Sequence, residues 1–317
     1  MKANSGSLSV IDAHAHVGVD LLFYLRGYAP YGLGWSELCE AGDASRVDKF
    51  VVFPMPTHLG LRAEALREGR IETGGAWEQV PYAFENRRMA AEIARHPGAA
   101  RALPFWMFDP AREPERQCAA LRALHEEFPC AGLKVQATII QSPISGLLGT
   151  GACLLDLAEE KNWPVLIHTS VHPSDPWSPV ADILRIVESR PGIRFNLAHS
   201  CRFDRPSLDR IAELPNAWFD CSAHAIHCEL AVQDRPAVAA KDRRFESDYR
   251  DPVRVLADLA AAYPDKLLWG SDAPFHSYSD DNLSLMSSYA REVEILRALG
   301  PEVVARIASS NTLAYLG

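Results

Sequence analysis

Eight short apolar segments, rich in β-branched residues and bounded by turn residues, recur with helical patterns between them, and this alternation restricts the fold more than any other feature. The segments are 8–16, 49–54, 101–108, 131–137, 164–168, 193–199, 217–221 and 266–272. Amphipathic stretches at 83–95, 115–127, 152–160, 180–189, 207–213 and 252–262 predict the intervening helices. Pro164-Val165-Leu166-Ile167 is apolar without alternation, as a parallel strand buried on both faces should be. Eight such units predict an α/β protein, a closed (β/α)8 TIM barrel with long active-site loops; an open doubly wound sheet is the less favoured arrangement. No G-x-G-x-x-G follows a strand and no P-loop occurs, so a nucleotide-binding sheet has no support.

The length of 317 residues fits one barrel domain spanning 1–317, and 48% hydrophobic with 23% charged residues gives a large core and a soluble surface. No apolar run approaches the roughly 18 residues of a membrane helix. The polar residues Met1 to Ser7 run straight into the first strand, which predicts a cytoplasmic location. A formal net charge of −9 disfavours nucleic acid and anionic membranes as partners and leaves a small-molecule substrate. Self-association into a homo-oligomer stays open. The cysteines, 39, 118, 130, 153, 201, 221 and 228, form no C-x-x-C pair and are expected to be reduced.

Polar residues interrupt the apolar segments at corresponding places. His14 and His16 end the first, Lys134 lies in the fourth, His168 and His199 end the fifth and sixth, and Asp272 ends the eighth. In a closed barrel these ends converge on one face, so residues distant in sequence meet in one cavity. Side-chain alternation along a strand predicts that Asp12, His14 and His16 share a face. Asp12 lies deeper and is expected to be a hydrogen-bonding support rather than a ligand. Two imidazoles do not make a metal site, which usually needs three or four protein ligands.

In order along the chain, Ile11-Asp12-Ala13-His14-Ala15-His16, Gly132-Leu133-Lys134-Val135, Pro164 to Thr169, Leu197-Ala198-His199 and Trp269-Gly270-Ser271-Asp272-Ala273-Pro274-Phe275 resemble the amidohydrolase superfamily. The branch is the amidohydrolase-2, decarboxylase-like group, and Asn311 to Leu316 is similar to its closing helix. The resemblance implies that His14, His16, His168 and Asp272 ligate a divalent metal, most simply one Zn2+. It implies that His199 stands beside the metal-bound water, transferring a proton or holding a second ion. Lys134 either holds substrate or, if carboxylated, bridges two ions. Three imidazoles and one carboxylate would leave a coordination position for water, with Asp272 as the base.

Arg202, just beyond His199, is a candidate clamp for a substrate carboxylate, and His224 and His227 after the seventh strand are candidates for the pocket wall. Residues 17–48, 55–80 and 222–250 are candidate lid loops, the first carrying Phe23, Tyr24, Tyr28, Tyr31 and Trp35. The charged run 241–250 is expected to form a solvated face. The leading expectation is a metal-dependent hydrolase in which activated water attacks an ester, lactone or amide of a small cyclic or aromatic substrate. The alternatives are a non-oxidative decarboxylase or hydratase of an aromatic or muconate-type acid, and a non-catalytic metal-binding barrel.

Overall fold

Every predicted barrel strand is present in a computed structural model, which describes residues 9–74, 80–280 and 282–317. The polar start of the chain, with the first residue of the predicted 8–16 strand, and residues 75–79 of the 55–80 loop lie outside the described residues. The strands are β1 (Ile11–Val19), β2 (Lys49–Pro54), β3 (Ala102–Met107), β4 (Gly132–Val135), β5 (Val165–Ile167), β6 (Phe195–Leu197), β7 (Ala217–Asp220) and β8 (Leu267–Leu268). Each pairs in parallel with the next. Gly32–Leu33 adds an antiparallel edge to the end of β1.

Closure depends on the chain just beyond β8. Ala13 N donates to Trp269 O at 2.9 Å, Asp272 N to His14 O at 2.8 Å and His16 N to Ala273 O at 2.6 Å. Ala15 and Ala273 form a parallel bridge. The last strand therefore returns to the first and the barrel keeps no free edge there. Gly270 permits this approach, because a Cβ at that position would lie 2.7 Å from His14 Cβ and 3.1 Å from His14 N. Neither atom can swing aside, since both belong to the seam. Gly270→Ala is expected to destabilise the fold by about 1–3 kcal/mol, the usual range for overpacking, as thermal unfolding would show. An unchanged melting temperature would mean that the seam is looser than described.

Inside the barrel, Val51, Phe53, Phe105, Met107, Leu166 and Leu268 pack together, and Tyr315 of the closing helix Asn311–Leu316 joins them. Outside, Phe50, Val52, Trp106, Val135 and Ile167 pack against the helices. Predicted helices are found at Ala83–Ala94, Pro114–Glu127, Ala152–Glu160, Val180–Ser189, Arg205–Glu213 and Pro252–Ala262. The last two start with a side-chain cap from Asp204 or Asp251 and a proline in the first turn. Helices at Leu21–Arg26, Trp35–Ser45, Ala63–Arg67 and His224–Val232 occupy stretches expected to be loops. In Trp35–Ser45 the weak helix former Gly42 sits mid-helix because a Cβ there would be 2.4 Å from the Phe50 ring. No described helix is long and apolar enough to cross a membrane.

One buried acid outside the cavity makes the fold pH-sensitive. Glu292, on the helix Tyr289–Arg297, accepts a hydrogen bond from Ala225 N at 3.2 Å, while its second oxygen has no partner. Burial pushes its pKa up to about 8, from 4.5. The folded chain then binds the extra proton between those values, so stability falls as pH rises from 4.5 through 8. Glu292→Gln is expected to remove that slope and to melt higher than the parent at pH about 9. Parallel melting curves for the two proteins across this range would contradict it.

Candidate metal centre and its cavity

β1 does not keep simple alternation. Asp12 pairs with Phe50 but Ala15 pairs with Val52, so three steps on β1 match two on β2. This bulge leaves Asp12 and Ala15 on the outward register of Phe50 and Val52, while His16, opposite Phe53, points inward with His14. The expectation that Asp12, His14 and His16 share one face is corrected accordingly. Asp12 instead ties the seam, accepting from His14 N at 3.1 Å and Ser271 N at 2.9 Å. Burial raises its pKa to about 6.

The inward groups form a tight set. His14 Nε2 lies 3.1 Å and His16 Nε2 3.5 Å from the same Asp272 oxygen. One ligand atom from each of His14, His16 and Asp272 lies within 4.8 Å of the others, and all three residues are buried. The remaining ring nitrogens are engaged: His16 Nδ1 donates to Pro54 O at 2.9 Å, and His14 Nδ1 to Asp220 Oδ2 at 3.0 Å. Both Nε2 atoms are therefore the ones available to a cation, the usual pattern for metal-binding imidazoles. Burial pulls the His16 pKa down to about 4, which keeps its lone pair free at neutral pH. For His14, burial and Lys134 oppose protonation but Asp220 and Asp272 outweigh them and raise its pKa. For Asp272, burial acts to raise the pKa, but His14 and His199 hold the carboxyl well below its usual range. An ionised carboxylate and two imidazoles suit Zn2+ or a similar divalent ion.

Lys134 is fully buried, with Nζ 3.3 Å from His14 Nε2 and 4.8 Å from the centre of the Phe53 ring. Desolvation lowers its pKa to about 7 against the attraction of Asp272 and Asp220. His168 is one ring further out. Its Nδ1 is 3.0 Å from His199 Nε2 and its Nε2 3.2 Å from Arg202 Nη2, so neither nitrogen joins the His14, His16 and Asp272 set. His199 Nδ1 is 2.8 Å from Ser222 Oγ and 3.8 Å from Asp272 Oδ2. Burial, reinforced by Arg202, holds both His168 and His199 well below the ordinary histidine pKa.

His199 and Arg202 reach the same cavity through an unusual backbone. Residues 199–203 all have positive φ, 62, 47, 45, 57 and 64°, and none is glycine. Such a left-handed turn costs roughly 1–2 kcal/mol per residue and persists only when its surroundings fix it. Here Ala239 N donates to Arg202 O and Phe245 N to Phe203 O, each at 2.9 Å, while Arg243 grips the buried Asp204 at 2.8 and 2.9 Å. Arg244 also turns inward, to the carbonyls of Ala239 and Ala231. The run 241–250 is thus partly a brace for the site rather than only a solvated face.

A cavity of about 180 Å³ opens over these groups, lined by His16, His168, His199, Arg202 and Asp272. All three predicted loops contribute to it, through Phe23, Pro56 and His227. His227, one helical turn past His224, is the histidine on the wall. His224 faces away, its Nε2 donating to Pro252 O at 2.9 Å. Phe275, just before the hairpin Ser277–Asp280 and Leu283–Met286, and Tyr278, within it, complete the apolar wall and had no strand-end signal to mark them. Asp220 and Ser222, which tie His14 and His199 from behind, also went unmarked. A larger cavity of about 710 Å³ lies by Val17, Val19 and Glu85 but holds none of His14, His16, His168, His199 and Asp272.

The model of the amidohydrolase family matches residues 11–317. No curated protein matches. Among solved structures, 5-carboxyvanillate decarboxylase from Sphingomonas paucimobilis is similar at TM-score 0.61 and 12% identity, covering 98% of this chain and 99% of its own. A 2,6-dihydroxybenzoate decarboxylase with bound 2,6-dihydroxybenzoate gives 0.62 and 13%, covering 98% and 99%. A zinc-bound amidohydrolase from Burkholderia multivorans gives 0.62 and 12%, covering 97% and 99%. At such identities the likeness establishes the barrel fold.

Proposed function

We propose, from the premise that this chain belongs to the amidohydrolase family, that it is a metal-dependent, non-oxidative decarboxylase of a small aromatic carboxylic acid. The observation that carries the reading is Arg202. Its Nε donates to Thr169 O at 3.0 Å, and its two terminal nitrogens meet His168 and His227. All three partners are neutral acceptors, and no described carboxylate forms an ion pair with this half-buried cation. Removal from bulk water lowers its pKa only to about 10, so it stays charged. A guanidinium has five N–H donors, which leaves one on each terminal nitrogen for a substrate carboxylate. Phe23, Phe275 and Tyr278 provide the apolar walls for a planar ring. Decarboxylases of aromatic acids among the similar structures agree with this choice.

His14, His16 and Asp272 would hold the cation, with His168 as a fourth ligand after its ring turns from Arg202. A bound divalent ion supplies Lewis acidity toward a substrate oxygen. Arg202 orients the anionic substrate, and the aromatic walls exclude water. As the ring–carboxylate bond breaks, its electron pair stays on the ring carbon, CO2 departs, and a solvent proton relayed through the bare Nε2 of His199, which is neutral at rest, takes its place. Hydrolysis of an ester, lactone or amide is the second reading, favoured by Asp272, which stays ionised beside the ligand atoms and can accept a proton from water. Protein supplied with Zn2+ or Mn2+ and a panel of hydroxybenzoates is expected to release CO2. Turnover of esters or lactones without CO2 would favour the second reading, and no turnover on either panel would reject both.

A further inference from the structure

Asp220 is fully buried at the end of β7 and collects more of the site's hydrogen bonds than any proposed ligand. Its Oδ2 accepts from His14 Nδ1 at 3.0 Å and from Asn196 Nδ2 at 2.9 Å. Its Oδ1 accepts from His199 N at 3.1 Å, Ser222 N at 3.0 Å and Ser222 Oγ at 2.5 Å. Because the Ser222 hydroxyl spends its proton on Asp220, its oxygen is left to accept from His199 Nδ1, 2.8 Å away. His199 Nε2 is then bare toward His168 Nδ1, whose other nitrogen receives Arg202. A single direction of donation runs from Arg202 through His168, His199 and Ser222 to Asp220, and His14 enters the same carboxylate from the other side.

We infer that Asp220 is a positioning residue that couples the cation site to the proton-transfer side of the cavity. One carboxylate fixes the ring orientation of His14, which presents Nε2 to the cation, and through Ser222 helps fix that of His199, which turns Nε2 toward His168 at the cavity wall. An amide cannot replace it: with five donors converging, asparagine at this position would aim its NH2 at one set of them. If that set includes His14, the ring must accept at Nδ1 and hold its proton on Nε2, the atom a cation needs. If the set is Ser222 and the His199 backbone, the hydroxyl turns away and the His199 ring keeps only the longer contact from Nδ1 to Ser222 O, at 3.2 Å.

The inference rests on the cation-site reading above, and its test does not require the substrate. Wild-type protein is expected to show an exchange-protected His14 Nδ1 proton in 15N NMR, both metal-free and loaded with Zn2+. In competition against a chromophoric chelator, Asp220→Asn is expected to weaken Zn2+ binding about 10- to 100-fold, the usual effect of removing a carboxylate behind a ligating imidazole. Ser222→Ala should leave Zn2+ affinity within about twofold while shifting the His199 ring signals. A wild-type His14 without a proton on Nδ1 would overturn the inference, and this reading stands even if Asp220→Asn fails to fold. So would a folded Asp220→Asn protein with wild-type Zn2+ affinity. Absence of CO2 release would sink the decarboxylase reading but leave these measurements unchanged.

Discussion

Asp272→Asn is expected to lower turnover by more than about 100-fold while leaving the barrel folded. The substitution keeps shape and removes charge. The neutral amide no longer offers an anionic oxygen to the point shared by His14 Nε2 and His16 Nε2, at 3.1 and 3.5 Å. It also removes the anion 3.8 Å from His199 Nδ1. The backbone of residue 272 sits at φ 64°, a region asparagine tolerates well, so the seam bond to His14 O survives. Kinetics together with circular dichroism check both halves of the prediction. Near-parent turnover in a folded variant would remove Asp272 from the reacting centre.

Arg202→Met is the second large effect. Truncating one partner of a desolvated, hydrogen-bonded charge pair costs about 2–5 kcal/mol, or roughly 30- to 4,000-fold in kcat/KM for a carboxylate substrate. Arg202→Lys is expected to restore little, because one ammonium cannot reach Thr169 O, His168 and His227 while also gripping a carboxylate. A neutral ester analogue of the substrate provides the control: it should bind the parent and Arg202→Met with similar affinity. Equal losses for acid and ester would show that Arg202 only braces the 199–203 turn.

The barrel was legible because its signal is repeated: each β-branched run, such as Val165-Leu166-Ile167, is bounded by turns and followed by a helical pattern. Strand-end placement also brought His14, His16, His168, His199, Lys134, Arg202 and Asp272 to one region, as the structure has them. What the sequence could not convey is local geometry. The bulge that turns Asp12 outward inserts a residue without changing residue type. The left-handed run at 199–203 contains no glycine to announce it. Asp220 reads as an ordinary strand-end acid until the hydrogen bonds from His14, Asn196 and Ser222 are seen converging on it. His224 and His227 differ only by one helical turn, and which of them faces the cavity depends on how the helix His224–Val232 is set against the barrel. Chemistry is less legible than fold, since loops rather than strands choose the substrate. The unpaired guanidinium and aromatic walls move decarboxylation ahead of the hydrolysis that the ligand pattern alone favours.

The central claim is that a cation held by His14, His16 and Asp272 is required for CO2 release, and metal removal tests it directly. Protein stripped with a chelator should lose CO2 release from its best aromatic acid and regain it on addition of one equivalent of Zn2+ or Mn2+, while His14→Ala/His16→Ala protein should neither retain the ion nor recover. Undiminished CO2 release from metal-free protein, or full recovery by the double variant, would contradict the account.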